Sequence, residues 1–370
     1  GEGDYRKAGT TFYSMLYFEA ILAFVFFLFI VFGCPYFFRL FVDTEIIYEK
    51  SLDYLRYRSY GVFPAFIGVS LIAFYTGIAR TRIILYDTVV LILVNILLNY
   101  SLIFGHWGMP KMGIAGAGLA STMAELVALI VFAIYMFFDK ALKPFRLFKI
   151  QKPDAALIRT NFRIASPIVA QAVVGLGSWF FFFAIIENMG QRELAISNLA
   201  RVVYLVLSIP CWGYSVGVNT LVSNFIGQNQ MENVWIAIKK TMIICVASTL
   251  LLAVPVLLFP KHILYPFLGS EDMSLFVDAQ PIFYILFVIL TLFSIGGIYF
   301  NGMAGTGATL AGLEIQAICV IFYVILIYIL VNFANVNLTT AWSIEIFYWL
   351  PMIYLVHRYM KGEKWKVLQM

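Results

Sequence analysis

Long apolar runs recur along this chain from end to end, separated by short stretches that carry charge, proline or glycine. Splitting at those breaks leaves apolar segments near residues 10–38, 59–79, 83–105, 113–138, 164–187, 194–226, 240–260, 280–302, 308–331 and 338–357. A bilayer core about 30 Å thick needs about 20 apolar residues of helix to cross it. The pattern therefore predicts ten spanning helices and an all-α, polytopic membrane protein.

Composition agrees with that reading. Hydrophobic residues make up 62% of the chain and charged residues only 12%, against about 25% charged in soluble domains. The Tyr and Trp residues often sit near run ends, as interfacial anchors do. Cys34, Cys211, Cys245 and Cys319 lie far apart inside apolar runs, so they read as small hydrophobes, with neither a disulfide framework nor a metal site implied. The net charge of +5 does not point to a nucleic-acid partner, because the positive residues fall mainly in alternate loops.

The longest polar connection, Asp139 to Arg163, carries Lys140, Lys143, Arg146, Lys149, Lys152, Arg159 and Arg163 against Asp139 and Asp154. The positive-inside rule makes it cytoplasmic. Alternation then puts 17 of the 25 Lys and Arg inside and seven outside, Arg56 and Arg58 among the latter, with Arg201 left within a span. Both termini of the sequence are expected on the cytoplasmic side.

Internal repetition organises the helices. Gly1-Glu-Gly-Asp resembles Gly227-Gln-Asn-Gln, Pro35 matches Pro260, and Ala79-Arg-Thr-Arg matches Ala304-Gly-Thr-Gly, at offsets of 225 or 226. Transporters are commonly built from such repeated halves, with the substrate site at their interface. The second half has two helices before its Gly227 and the first half none before Gly1, so repeat logic expects two more, about 60 to 75 residues, in a complete chain of six plus six. The expected division is an incomplete N-lobe at 1–138 (helices three to six), a cytoplasmic inter-lobe linker at 139–163, and a C-lobe at 164–370 (helices seven to twelve).

Specific strings carry a family resemblance. They are Gly1-Glu-Gly-Asp-Tyr-Arg-Lys-Ala8, Asn95 and Asn99 leading into Leu102-Ile-Phe-Gly105, Gly113-Ile-Ala-Gly-Ala-Gly-Leu-Ala-Ser121, Pro167, Ala195-Ile-Ser-Asn-Leu-Ala-Arg201 and Leu221-Val-Ser-Asn-Phe-Ile-Gly-Gln228. In order and spacing they resemble the multidrug and toxic compound extrusion (MATE) family of the wider multidrug, oligosaccharidyl-lipid and polysaccharide exporter superfamily. The resemblance implies a V-shaped pair of six-helix bundles, acting as a monomer in a bacterial inner membrane. It also implies export of amphipathic, often cationic small molecules by alternating access, in exchange for Na⁺ or H⁺ and without another cofactor. Some sodium-coupled members carry an acidic residue in the seventh helix, where alignment on Pro167 puts Gly175, and others use a first-helix aspartate absent from this sequence. The coupling ion stays open.

Polar groups inside spans cost about 2.5 to 3.5 kcal/mol when charged and usually face a protein interior or a hydrated path. Along 194–226, Asn198, Arg201, Ser208, Trp212, Ser215, Asn219 and Ser223 fall on one helical stripe about 100° wide, fit for a wet cavity or a polar helix interface. Arg201 could bind an anionic group, pair with Glu187 across the short turn, or snorkel to water. Pro210 is a hinge, or a proline tolerated in a static helix. Glu125 is a proton carrier, or a protonated carboxyl bonded to a neighbouring helix. Asn95 and Asn99 line a cavity or join helices. Gln171, Asn301 and Gln316 complete the cavity candidates. Glu19 is also within a span, Asp87, Glu314 and Glu345 read as hydrated groups near helix ends, and His106, His262 and His357 as solvated imidazoles.

No Gly-x-x-x-x-Gly-Lys-Ser/Thr string and no His-Glu-x-x-His string occurs, and the three glycines of Gly113 to Gly118 lie in an apolar helix rather than after a strand. An enzyme is not expected, and neither catalytic residues nor a metal site are assigned. The functional expectation is a cation-coupled exporter driven by an ion gradient. The alternative is a flippase for lipid-linked oligosaccharides or polysaccharides, which would need Arg and Lys in the spans where only Arg201 is found.

Overall fold

The computed structural model of the protein describes residues 3–41, 44–149, 151–259, 273–334, 336–362 and 364–367. Gly1 and Pro260 of the repeat matches, together with Lys261 and His262, lie outside the described residues. The rest is helical: α1 Tyr5–Leu28, a π-helical turn Phe29–Gly33, α2 Cys34–Phe41, α3 Glu45–Gly77, α4 Arg82–Phe104, α5 Ile114–Phe138, a 3₁₀ turn Lys140–Phe145, α6 Ala155–Met189, α7 Gln191–Gly227, α8 Glu232–Leu258, α9 Met273–Ala304, α10 Thr309–Ala334, α11 Leu338–Ser343, α12 Ile346–Lys361 and a 3₁₀ turn Lys364–Val367. Among the described residues no strand is found, and nine helical stretches are long and apolar enough to cross a membrane.

Three helices outrun the apolar segments that announce them. α3, α6 and α7 have 33, 35 and 37 residues, about 50 to 55 Å at 1.5 Å per residue, well beyond the hydrocarbon core. A helix does not stop where its first charge appears; it continues through the headgroup layer. Arg56 and Arg58, expected in an outside connection, are therefore within α3, and Arg159 and Arg163 are within α6. The tenth expected span, 338–357, is split into α11 and α12. There the backbone bonds skip back three residues, Ile344 N–H to Ala341 O and Glu345 N–H to Trp342 O, a tighter winding than an α-helix that redirects the chain. The π-turn before α2 has a similar local cause: Pro35 has no N–H for Val31, and the Cys34 N–H reaches back five residues to Phe29 O.

The chain divides into two compact units, residues 3–161 and 162–370. In the first, α5 packs along α3 and α4, and α1 along α3. A cluster at one end of this unit joins Phe12, Leu71, Tyr75, Ile83, Phe132 and Met136 to Leu142, Phe145 and Leu147 of the segment after α5. In the second, α9 is central, packed by α7, α8 and α12, with α10 against α12. Its Ile282, Leu286, Ile289, Leu290, Ile298 and Met303 are at most 1% exposed, as expected of a helix apolar all round. The pairs α1/α3, α3/α5 and α4/α5 recur as α8/α9, α9/α12 and α10/α12, the correspondence that the 225-residue offset implies. Outward faces stay apolar, with Ile21 66%, Phe32 64% and Leu251 75% exposed, the pattern that lipid contact permits.

Candidate functional site

In the first unit, α5 brings its small residues against α3 and carries Glu125 near its middle. Arg58 of α3 meets that carboxylate with both guanidinium nitrogens, Nη1 to Oε2 at 2.8 Å and Nη2 to Oε1 at 2.7 Å. The side chains are 27% and 21% exposed. Thr122 donates alongside to the Tyr57 carbonyl at 2.9 Å. Gly61 makes room for the pair, since a Cβ there would come within 2.1 Å of Arg58 Nη1 and 2.7 Å of Thr122 Oγ1. Glu125 is thus joined to a neighbouring helix as a bidentate ion pair. Neither sequence alternative included it, because Arg58 was placed outside the span.

Asn95 and Asn99 continue the polar set from α4. Asn95 Nδ2 donates to Ser121 Oγ on α5 at 3.3 Å, and Asn99 Nδ2 donates to Asn95 Oδ1 at 2.9 Å. Asn99 Oδ1 is buried and has no partner among the described residues. Asp87, on the same helix, is 8% exposed and its Oδ1 also lacks a partner there. That corrects its reading as a hydrated group near the helix end. The only sequence signal was a carboxylate one turn into an apolar helix.

In the second unit, the expected stripe on α7 divides between a packed side and an open one. Ser208 and Ser215 are buried with the core face, and Ser208 donates to the Tyr204 carbonyl. Ser223 donates to the Asn219 carbonyl at 2.9 Å and to the Gly305 carbonyl at 2.8 Å. Asn198, Arg201, Pro210 and Asn219 are half-buried, while Trp212 is 49% exposed. α7 runs without a break through Pro210. The Arg201 guanidinium lies 4.9 Å from the centre of the Phe183 ring, and among the described residues Glu187 is not its ion partner. Helix rise explains this: Arg201 is ten residues into α7, about 15 Å, whereas Glu187 is two residues from the end of α6.

Gln171 and Gln316, both buried, tie α6 to α10. Gln171 Nε2 donates to Thr309 O at 2.8 Å, and Gln316 Nε2 donates to Gln171 O at 3.1 Å. Gly175 adjoins them, and a Cβ on it would lie 3.2 Å from Gln316 Nε2. Asn301 bonds within its own helix, to Gly297 O at 2.9 Å. Glu345 was read as a hydrated end group. The α11–α12 break instead turns it toward Trp349, whose Nε1 donates to Oε1 at 3.4 Å. Phe293 packs 5.0 Å from Trp349.

Comparison with known proteins adds an independent line. A family model described as MatE matches residues 1–101 and 167–329. A probable multidrug resistance protein NorM of Synechocystis is 26% identical over 231 residues, covering 62% of this chain and 50% of that protein. The NorM of Thermotoga maritima is 24% identical over 302 residues, covering 80% and 63%. The chain thus spans less than two thirds of these relatives. Among solved structures, MATE in the straight conformation has a TM-score of 0.85 at 17% identity, covering 98% of this chain and 85% of that one. A eukaryotic MATE transporter has a TM-score of 0.78 at 14% identity, covering 98% and 80%. At these identities the structural likeness is one of fold.

Proposed function

The chain belongs to the MatE family, and on that premise we propose that it is a secondary active antiporter that exports amphipathic, cationic compounds in exchange for Na⁺ or H⁺. One observation carries the reading. Inside an apolar bundle of this family's fold, the Arg58–Glu125 pair and the Asn99–Asn95–Ser121 chain both converge on α5. Ionisable and amide groups held within a membrane lobe usually mark an ion or substrate path. The names of the NorM relatives, probable multidrug resistance proteins, support the substrate class.

In this reading an incoming cation competes with Arg58 for Glu125. Neutralisation of the carboxylate frees the guanidinium and loosens the grip of α5 on α3. Asn99 Oδ1, an acceptor without a partner among the described residues, offers the entering ion a further ligand. The two units, 3–161 and 162–370, serve as the lobes of alternating access. The protein acts as a monomer in a bacterial inner membrane, with both ends of the chain on the cytoplasmic side.

The flippase alternative needs basic side chains free to hold a diphosphate. Arg58 is committed to Glu125 and is not free to hold one, which favours the antiporter. The test is dye efflux from proteoliposomes under an imposed Na⁺ or pH gradient. We expect gradient-dependent efflux of a cationic dye, lost in Glu125→Gln. Efflux that proceeds equally without a gradient overturns the antiporter.

A further inference from the structure

The segment that follows α5 is built more firmly than a tether requires. Asp139 accepts from the Ala141 N–H at 3.0 Å and from the Tyr75 hydroxyl at 3.3 Å, and pairs with Arg80 at 3.5 Å. Leu142, Phe145 and Leu147, at most 8% exposed, enter the cluster formed by α1, α3, α4 and α5. The Tyr13 hydroxyl donates to the Leu147 carbonyl, and Thr10 donates to Gln151 at 2.7 Å. One side of the segment is thereby fastened to the first unit.

Its other side is basic and aromatic. Lys140, Lys143, Arg146 and Lys149 are exposed, and the nearby acid, Asp139, is already engaged. Phe148 is 56% exposed, and its ring lies 5.6 Å from Phe137, itself 68% exposed in the last turn of α5. An open phenyl ring on a connecting segment is unfavourable in water and favourable where headgroups meet acyl chains. Contact with a ring of a spanning helix sets the segment at that level. Four cations over ten residues at that level complement an anionic leaflet surface.

We propose that residues 140–149 form a docking platform for anionic phospholipid headgroups, with Lys143, Arg146 and Lys149 on the phosphate and Phe148 in the acyl boundary. Mere excess charge in a loop would attract the same leaflet diffusely. The fastened backbone and Phe148 make a localised site. The platform is independent of what the protein transports.

The experiment measures retention of spin-labelled phosphatidylglycerol against phosphatidylcholine by the protein in phosphatidylcholine vesicles. The unaltered protein should prefer phosphatidylglycerol by about fivefold or more, the weight of at least one basic residue at a membrane surface, and the preference should fall with salt. Lys143→Ser/Arg146→Ser/Lys149→Ser should bring it close to unity. Phe148→Ser, which leaves every charge in place, should lower it as well. Equal retention of both lipids by the unaltered protein, or a preference undiminished in the triple variant, overturns the proposal. A preference unchanged in Phe148→Ser overturns the localised site in favour of diffuse attraction. Displacement by inorganic phosphate beyond that by chloride of equal ionic strength overturns the lipid as occupant in favour of a free anion.

Discussion

Arg58 of α3 grips Glu125 of α5 through two parallel hydrogen bonds, at 2.7 and 2.8 Å, across 67 residues of sequence. Removing one partner of such a pair strands the other charge, which costs about 3 to 5 kcal/mol when burial is complete. Because each side chain keeps a quarter of its surface exposed, Arg58→Ala should cost about 2 to 3 kcal/mol by the same principle. Thermal unfolding of the purified protein checks this. The paired replacement Arg58→Met/Glu125→Met should recover most of the loss.

Gly61 gives a steric version of the same experiment. Gly61→Ala pushes a methyl group into the space of Arg58 Nη1 and Thr122 Oγ1, so it should separate the pair without removing either charge. The expected loss is about 1 to 3 kcal/mol, the usual cost of overpacking. In combination with Arg58→Met/Glu125→Met the loss should shrink. An equal loss in both backgrounds would show that the methyl group acts elsewhere.

For Arg201 the structure sets a contact with Phe183 against the Glu187 pairing that was one of the three sequence alternatives. Glu187→Gln is a surface change away from the guanidinium and should shift stability by no more than about 0.5 kcal/mol. Phe183→Leu removes the ring beneath the charge and should cost more, since a cation over an aromatic face contributes about 0.5 to 2 kcal/mol in addition to packing. A double-mutant cycle with Arg201→Met measures the coupling directly. Coupling to Glu187 that exceeds coupling to Phe183 would refute the stacked arrangement.

How far the sequence speaks follows from what each feature depends on. Spanning helices are legible because apolar run length is a local property, and so is the shared face of Asn95 and Asn99, four residues apart on α4. The extent of α3 was not legible, because hydropathy marks where a helix leaves the hydrocarbon and not where it ends; that error hid Arg58 from Glu125. The bond between Gln171 and Gln316 joins positions 145 apart, and periodicity carries no information about which helices face each other. Glu345 was misplaced because its surroundings depend on the break between α11 and α12. The stripe on α7 was legible as a spacing, but its division between Ser208 and Ser215 on the packed side and Trp212 on the open side depends on α8 and α9.

The segment after α5 provides the last prediction. It was expected to be a linker, and a linker's amides exchange with solvent freely. Here the Asp154 N–H donates to Ser14 Oγ at 2.9 Å, while Tyr13 holds the Leu147 carbonyl. Each such bond contributes about 1 kcal/mol, or about a fivefold change in the equilibrium between docked and released segment. Tyr13→Phe should therefore accelerate amide hydrogen exchange across 142–149 about fivefold, and Ser14→Ala should do the same around Asp154. Neither should change exchange in α9, which packs against α7, α8 and α12 in the other unit. Because Leu142, Phe145 and Leu147 still anchor the apolar side, either single change should loosen the segment without freeing it, and only the two changes combined with Leu147→Ser should raise exchange to the level of an unstructured chain. Exchange at that level in the unaltered protein would mean that the segment is a tether after all.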